Sequence, residues 1–325
     1  MKVMLTGAFG NIGSFTLEEL IARGHQVRAF DILSKTTEKT AQRFRNQAEI
    51  QWGDLRNMED LRTAVRDQDV VIHLGFVIPQ LSITGVRSED DPDFARGVNV
   101  GGTGNLVQAI LEQSHRPRLI FASSLHVFGR TQDQPPPRIV SDPVSPVEHY
   151  AQHKVECEQI IRHSELVWSI FRLPATLPVR LIMDKGMFDV PLNNRIEYGH
   201  GRDVATAFAN GVVHPEIWGK TLLIGGGPRC QFYYGDLVGR IMETVGIGRL
   251  PDKAFSEVPF STDWMDTRES QRLLKYQTRT LDDYLKDMRR LLGWRLPFIR
   301  AFRPLVRSWL MRHSPHLRTA SQRAA

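Results

Sequence analysis

The sequence predicts an α/β protein: a doubly wound parallel sheet followed by a smaller, mixed C-terminal region. Strand-like and helix-like patterns alternate from residue 2 to about residue 172, which is typical of parallel strands covered by helices on both faces. The length of 325 residues suffices for one such domain and a second region. We expect a domain over 1–173, a mixed region interleaved with the sheet over 174–290, and a basic, amphipathic tail over 291–325.

The first strand and the turn after it predict a dinucleotide site. Val3 to Leu5 form a short apolar strand, and Gly7, Gly10 and Gly13 follow it before a helical pattern begins. Glycines permit a tight turn and a close approach of the backbone to a pyrophosphate, while the N-terminus of the next helix attracts the anion.

The second strand ends at Asp31, and this acid favours NAD over NADP. A carboxylate there accepts hydrogen bonds from both hydroxyls of the adenosine ribose and repels a 2′-phosphate. Arg28 and Lys35 lie close by and weaken the preference.

Tyr150 and Lys154 are four residues apart, so a helix places both side chains on one face. A nearby ammonium stabilises a phenolate and lowers the pKa of the tyrosine, which then exchanges a proton with an alcohol near neutral pH. The pair therefore predicts acid–base chemistry.

Further motifs occur in a consistent order, and together they resemble the extended short-chain dehydrogenase/reductase family, the NAD-dependent epimerase/dehydratase group, over about residues 1–290. The matching segments are TGAFGNIG at 6–13, GDL at 53–55, HLG at 73–75, VNVGGTGNL at 98–106, SSLHVFG at 123–129, YAQHK at 150–154 and HGRDVA at 200–205. Phe128 replaces the tyrosine usual in the SSxxVYG segment. The resemblance implies a Rossmann-type fold whose residues 174–290 supply most of the substrate pocket.

The resemblance also implies which residues hold the cofactor. They are Gly7, Phe9, Gly10, Asn11, Ile12, Gly13, Asp31, Asp54, Leu55, Leu74, Gly75, Asn99, Tyr150, Lys154 and Pro174. Among them, Asp54 is expected to meet the adenine amino group, and Lys154 the nicotinamide ribose.

The expected catalytic residues are Ser124, Tyr150, Lys154 and Asn99. Ser124 holds the substrate oxygen near Tyr150, which moves the proton, and Asn99 resembles the residue that supports Lys154 through a water. Ser124, His126 and Thr176 are the expected substrate contacts. Each of these residues also has a structural alternative. Ser124 could be a strand-end hydroxyl that bonds the backbone, and Asn99 could be a helix cap. His126 could be a packed or loop histidine.

Two departures from the family pattern narrow the chemistry. Leu125-His126 stands where sugar-nucleotide dehydratases carry Asp-Glu, and Ala175 stands where nucleotide-sugar epimerases carry an asparagine. Apolar residues follow, and they either line an apolar pocket or pack in a core. These residues are Leu177, Val179, Leu181, Ile182, Met183, Met187 and Phe188.

Three functions remain open. The first is an NAD-dependent oxidoreductase acting at a secondary alcohol or ketone of a small metabolite, an apolar one included. The second is a nucleotide-sugar epimerase, an isomerase that retains its NAD. The third is a non-catalytic, cofactor-binding accessory protein, against which the intact Ser124, Tyr150 and Lys154 argue.

Composition points to the cytoplasm. Cys157 and Cys230 are the only cysteines and imply neither a metal site nor a disulfide framework. Met1-Lys2 runs directly into a strand without a leader, and no window approaches the roughly 20 apolar residues that span a bilayer.

The tail carries the positive charge. Residues 288–325 contain nine arginines and no acid, so the formal net charge of +6 leaves −3 for the rest of the chain. Pro304 opens a predicted helix on which Leu305, Val306, Trp309 and Leu310 share a face flanked by Arg303, Arg307 and Arg312. The helix either docks on the body or contacts an anionic membrane peripherally at its inner surface. We expect no nucleic-acid partner, because no recognition module is present.

By family resemblance, the helices near 100–113 and 147–163 are expected to form a homodimer interface.

Overall fold

Strands and helices alternate through the first half of the computed structural model, which describes residues 1–79, 84–180 and 185–317. The strands of this half are β1 (Lys2–Thr6), β2 (Gln26–Asp31), β3 (Glu49–Trp52), β4 (Val70–His73), β5 (Arg118–Ser124) and β6 (Trp168–Leu173). The helices are α1 (Asn11–Ala22), α2 (Lys35–Ala41), α3 (Met58–Val65), α4 (Pro92–Arg96), α5 (Gly102–Leu111) and α6 (His149–Arg162).

The second half is mainly helical. Its strands are β7 (Arg195–Glu197), β8 (Thr221–Leu223) and β9 (Gln231–Tyr233). Its helices are α7 (Gly201–Val213), α8 (Tyr234–Thr244), α9 (Arg268–Leu274), α10 (Leu281–Leu292), α11 (Arg295–Ala301) and α12 (Arg303–His313).

The main sheet has the strand order β3-β2-β1-β4-β5-β6-β8, and each neighbouring pair is parallel. This confirms the predicted fold class. The order reverses between β1 and β4, and ligands of such sheets bind beyond the carboxyl ends of the strands at this point. The glycine turn follows β1, and Ser124 ends β5.

Helices cover both faces of the sheet because successive strand residues point to opposite sides. On one face, Val3 and Leu5 belong to a buried cluster with α1, α7 and α9. On the other face, Met4 belongs to a cluster with α3, α5 and α6. The helix that carries Tyr150 and Lys154 is therefore fixed against the sheet.

Elements beyond residue 173 return to the sheet. β8 extends it next to β6, and α7 packs on α1. The region over 174–290 is thus interleaved with the sheet, while the expected boundaries at 173 and 290 stay predictions.

A separate apolar core lies among α8, α10 and the last helices. Of the apolar residues that follow Ala175, those that the structure describes pack into this core: Leu177, Val179, Met187 and Phe188. Phe188 is buried in this core, while Leu177, Val179 and Met187 are partly buried against it. Leu181, Ile182 and Met183 lie outside the described residues.

The last helix docks on the body, and the predicted apolar face is divided in two. Leu310 is 2% exposed and Val306 packs beside it in the same core, whereas Leu305 is 68% and Trp309 48% exposed. The body therefore covers the side of this face that carries Val306 and Leu310 and leaves Leu305 and Trp309 exposed. Within the described ranges, no helix combines the length and the apolar character needed to cross a membrane.

Candidate active site

The turn between β1 and α1 requires glycine at two positions. Gly7 has φ +64°, and a Cβ there would lie 2.7 Å from the backbone nitrogen of Gly75. A Cβ on Gly13 would lie 2.0 Å from the Gly7 carbonyl oxygen. Gly10 is the N-cap of α1. The missing side chains leave a backbone cradle at a helix N-terminus, which fits a pyrophosphate.

Asp31 is fixed by the same turn. Its carboxylate accepts hydrogen bonds from the backbone N–H groups of Phe9 and Ile32, each at 2.9 Å. Burial raises the pKa of Asp31 to about 6, although both hydrogen bonds act in the opposite direction. The Phe9 ring packs against Phe44 and Trp52, so the contribution of Phe9 to this site is its backbone.

Arg28 points away from Asp31. Its guanidinium donates to the carbonyls of Ala64 and Arg66 at 2.8 and 2.9 Å and pairs with Glu49 at 3.0 Å. Arg28 and Lys35 were both expected to weaken the preference of Asp31 for NAD. With Arg28 bonded elsewhere, the exposed Lys35 remains as the side chain that could do so.

Asp54 follows β3 and is paired with Arg56, whose Nη2 lies 2.6 Å from the carboxylate. This hydrogen bond lowers the pKa of Asp54. Next to it, Leu55 is buried and its Cβ would be 2.7 Å from a Cβ on Gly102. The adenine contact of Asp54 stays a prediction.

A buried chain of hydroxyls positions the segment after β4. The Thr6 hydroxyl oxygen accepts from the N–H groups of Leu74 and Gly75 at 3.1 and 3.0 Å. His73 bridges Thr6 and Thr103 at 2.7 and 3.0 Å, and burial lowers its pKa to about 3, so it is neutral. The sequence analysis did not predict the roles of Thr6 and Thr103, because they lie 67 and 30 residues from His73 and no sequence motif links them to it.

Asn99 braces the same segment. It lies in a π-helical turn, Gly97–Gly101, before α5. Its Oδ1 accepts from the Val77 N–H at 2.7 Å, and its Nδ2 donates to the Val77 carbonyl at 2.9 Å. Its Nδ2 also lies 3.3 Å from His153. The Asn99 side chain therefore bonds Val77 and His153, and the water-mediated support of Lys154 stays a prediction.

Tyr150 and Lys154 lie on one face of α6, and the Lys154 ammonium is 5.7 Å from the centre of the Tyr150 ring. Lys154 Nζ donates to the Ala122 carbonyl at 2.6 Å and lies 3.3 Å from the centre of the Phe76 ring. Burial raises the pKa of Tyr150 to about 12, while Ser124 beside it lowers it. In the ligand-free chain the net shift of the Tyr150 pKa is therefore upward, and the expected lowering of this pKa by Lys154 stays a prediction.

Ser124, Tyr150 and His126 come together at the end of β5. The Ser124 hydroxyl accepts from the His126 N–H at 3.2 Å, and the His126 ring lies edge-on to Tyr150 with centroids 5.9 Å apart. Glu148 faces His126. The sequence reading missed Glu148, although its position two residues before Tyr150 was an available signal.

Thr176 lies apart from this group. The Asn11 side chain donates to the Thr176 carbonyl at 3.5 Å, and the Thr176 hydroxyl bonds the Pro174 carbonyl at 3.3 Å. Ile12 packs partly buried on the adjacent core. Thr176 thus contacts the start of α1, and the roles of Pro174 and Thr176 toward cofactor and substrate stay predictions.

The chain is similar to known proteins over this region. The model of the NAD dependent epimerase/dehydratase family matches residues 3–172, just over half of the chain. UDP-glucose 4-epimerase of Mycolicibacterium smegmatis is 33% identical over 167 residues, 49% of this chain and 49% of that protein. 3-beta-hydroxysteroid dehydrogenase of Mycolicibacterium neoaurum is 31% identical over 132 residues, 41% of this chain and 34% of that protein. The chain thus spans about half or less of the length of these relatives.

A solved structure shares the fold. A short-chain dehydrogenase/reductase superfamily protein from Agrobacterium tumefaciens, crystallised with bound NAD, has a TM-score of 0.74 and 19% identity. The match covers 93% of this chain and 100% of that one.

Proposed function

The chain belongs to the NAD dependent epimerase/dehydratase family, and we propose that it is an NAD-dependent oxidoreductase acting at a secondary alcohol or ketone carbon of a small metabolite. The observation that carries this proposal is the meeting of Ser124, Tyr150 and His126 at the carboxyl end of β5, with Lys154 one turn along α6. The intact set argues for turnover rather than for a non-catalytic accessory protein.

The residues present fit NAD. The backbone cradle of Gly7, Gly10 and Gly13 would hold the pyrophosphate, Asp31 the adenosine ribose, and Lys154 the nicotinamide ribose. NAD held there would supply the acceptor, and NADH the donor, of a hydride for the carbon that carries the substrate oxygen.

The protein's own residues handle the proton. Ser124 donates a hydrogen bond to the substrate oxygen and holds it near the Tyr150 hydroxyl. Because the pKa of Tyr150 is raised to about 12, the phenol is protonated at neutral pH and suits donation to an alkoxide during ketone reduction. In oxidation Tyr150 acts as the base, and the Lys154 ammonium, 5.7 Å from the centre of its ring, favours the phenolate.

Epimerisation is the second candidate, because a UDP-glucose 4-epimerase is among the relatives. One observation opposes it. Ala175 replaces the asparagine expected to meet a nucleotide sugar, and its backbone pairs with Tyr198. The acid pair of the dehydratases is also missing, so elimination is not proposed.

The decisive experiment is to identify and follow the cofactor. Purified protein is extracted and analysed by mass spectrometry, and then assayed at 340 nm with NAD and secondary alcohols. Net NADH formation that Tyr150→Phe abolishes is the expected result. Tightly retained NAD without net redox turnover would instead favour the epimerase, and no affinity for NAD would overturn the proposal.

We further propose a cytoplasmic homodimer that pairs through α5 and α6. The family resemblance motivates this expectation, and Gln152 and Gln159 are exposed on α6. Light scattering of the purified protein tests it, since a monomer would contradict the pairing.

We also propose peripheral contact of the tail with an anionic membrane at its inner surface. Large apolar side chains on and beside α11 and α12 are 48–73% exposed: Trp294, Phe298, Phe302, Leu305 and Trp309. The chain has no acid from residue 288 onward. Exposed aromatic groups bordered by arginines suit the headgroup region of such a membrane.

A further inference from the structure

Four arginines line a cleft where α11 and α12 lie against the loop that follows α8. They are Arg249 of the loop, Arg300 of α11, and Arg303 and Arg307 of α12. The cleft has a volume of about 560 Å³. None of these elements carries a residue of the candidate active site, so the cleft is a separate feature of the surface.

The loop brings two of the guanidinium groups together. Arg303 Nε and Arg307 Nη1 both donate to the Ile247 carbonyl, at 2.8 and 3.2 Å. Arg307 also donates to the Arg249 carbonyl. Gly248, with φ +72°, permits the close approach, because a Cβ there would lie 2.5 Å from Cζ of Arg303. Two like charges are therefore fixed side by side on one carbonyl oxygen.

Most N–H donors of the cleft have no partner among the described residues. Glu243 is the acid of the lining, and its carboxylate lies 3.3 Å from Arg249 Nε. Arg303 and Arg307 use one nitrogen each in the bonds to the loop. No described residue bonds the Arg300 guanidinium. Four arginines and one glutamate leave the lining with a net charge of +3, and a bound anion would relieve the repulsion among the arginines.

The chain places exposed apolar side chains next to these arginines. Phe298 and Phe302 are each 57% exposed and Leu305 is 68% exposed, and they alternate in the sequence with Arg300 and Arg303. A free anion would use only the arginines, whereas a phospholipid would use both the arginines and the apolar groups. The surroundings of the cleft therefore favour a lipid as the source of the anion.

We propose that this cleft binds the phosphomonoester headgroup of a phospholipid. A phosphomonoester carries a charge of about −1.5 to −2 at neutral pH and three acceptor oxygens, whereas a phosphodiester headgroup is singly charged. Guanidinium groups bind phosphate oxygens in pairs, so the unused N–H groups and the net charge of the lining suit the monoester. In naming a lipid class, this inference rests on the proposed function, of which the membrane contact of the tail is a part.

Co-sedimentation with vesicles tests the headgroup preference. Full-length protein is compared on phosphatidylcholine vesicles that contain either phosphatidic acid, a monoester, or phosphatidylglycerol, a diester, at matched zeta potential. The wild type should bind the phosphatidic acid vesicles about tenfold more tightly. Equal binding to both kinds of vesicle would overturn the headgroup assignment and leave the membrane contact of the tail standing.

Arg300 is the position to change, because no described residue depends on its guanidinium. Arg300→Gln should remove most of the preference for phosphatidic acid. Arg300→Lys should restore little of it, since an ammonium keeps the charge but lacks the fork that pairs with two phosphate oxygens. Arg312→Gln removes an exposed charge of α12 outside the cleft and should keep the preference. An equal loss in Arg300→Gln and Arg312→Gln would overturn the assignment of the cleft.

Calorimetry with soluble probes separates the lipid from a free anion. Dibutyryl phosphatidic acid, which dissolves in water, should bind the wild type about tenfold more tightly than it binds Arg300→Gln. That result without any vesicle binding would support the cleft and count against the membrane contact. Inorganic phosphate that binds through Arg300, while phosphatidic acid vesicles gain nothing over phosphatidylglycerol vesicles, would assign the cleft to a free anion and overturn the lipid assignment.

Discussion

The Lys154 ammonium lies 3.3 Å from the centre of the Phe76 ring and donates to the Ala122 carbonyl at 2.6 Å. Phe76 follows β4, so the contact joins the two elements that border the candidate active site. An aromatic face attracts a cation but compensates only part of the lost hydration. Burial accordingly lowers the pKa of Lys154 from 10.5 to about 7.

Replacing this lysine with methionine should stabilise the ligand-free protein most at low pH. Between pH 7 and 10.5 the unfolded chain holds a proton on Lys154 that the folded chain has lost, so wild-type stability gains with rising pH. Lys154→Met should therefore melt at a higher temperature than the wild type at about pH 6, and the difference between the two melting temperatures should become smaller toward about pH 10. Lys220→Met, at a partly exposed lysine, is the control, and a pH-independent excess for Lys154→Met would contradict the assignment.

NAD affinity should fall as the pH drops through about 6. Asp31 has its pKa raised to about 6 by burial, and only its ionised form accepts hydrogen bonds on both oxygens from the ribose. Asp31→Asn should weaken NAD binding by about tenfold, weaken NADP less, and flatten the pH profile. Calorimetric titrations measure all three effects.

Asp54→Asn is the matched control for that profile. Arg56 lowers the pKa of Asp54, so this carboxylate stays ionised over the same range. The variant should keep the fall in NAD affinity near pH 6, and loss of the fall in both variants would show that neither carboxylate alone is responsible.

Tyr150→Phe should bind NAD with near wild-type affinity and lose turnover by about 10²- to 10⁴-fold, the usual contribution of a positioned acid or base. The ring contacts with Phe76 and His126 do not need the hydroxyl, so folding should be unaffected. Tyr233→Phe removes the hydroxyl of an exposed tyrosine and should change neither property. Retained turnover in Tyr150→Phe would remove the tyrosine from the mechanism.

Glu158→Gln should destabilise the fold strongly. Glu158 lies on α6 and pairs with Arg172 of β6 at 2.8 Å, and both side chains are about 5% exposed or less. Breaking a buried pair leaves an uncompensated charge and costs about 3–5 kcal/mol. Glu156 lies on the same helix as Glu158 and forms a more exposed ion pair with Arg96 of α4. Glu156→Gln should therefore lower the free energy of unfolding by less than about 1 kcal/mol. Urea unfolding measures the stability of both variants, and an equal loss in the two would contradict a special contribution of the buried pair.

Local signals carried the sequence predictions, and contacts between distant segments limited them. The alternation of strands with helices and the glycine turn before α1 are visible within short windows, so the fold and the cradle were predictable. The pKa direction of Tyr150 was not, because it follows from burial that only the folded chain creates. Glu148 accepts a hydrogen bond from Ser261, 113 residues away, and no spacing rule joins them.

In the tail, too, contacts with a distant part of the chain decide what the sequence pattern left open. Helical periodicity placed Leu305 and Leu310 on one stripe, but only the body decides which side is covered: Leu310 is 2% and Leu305 68% exposed.

The outward residues should bind an anionic surface. Full-length protein should co-sediment with phosphatidylglycerol vesicles more than with phosphatidylcholine vesicles. The triple variant Trp294→Ser, Phe298→Ser, Leu305→Ser should lose most of that binding, because insertion of apolar side chains drives it.

Val258→Ser removes an exposed apolar side chain elsewhere on the surface, 54% exposed, and should bind vesicles as the wild type does. High salt should weaken the binding of the wild type, since the arginines of the tail attract the lipid headgroups through screened charge. Equal sedimentation of the triple variant and the wild type would refute the membrane contact. Concentration-dependent association of the wild type without lipid, lost in the triple variant, would instead assign the face to a second copy of the chain.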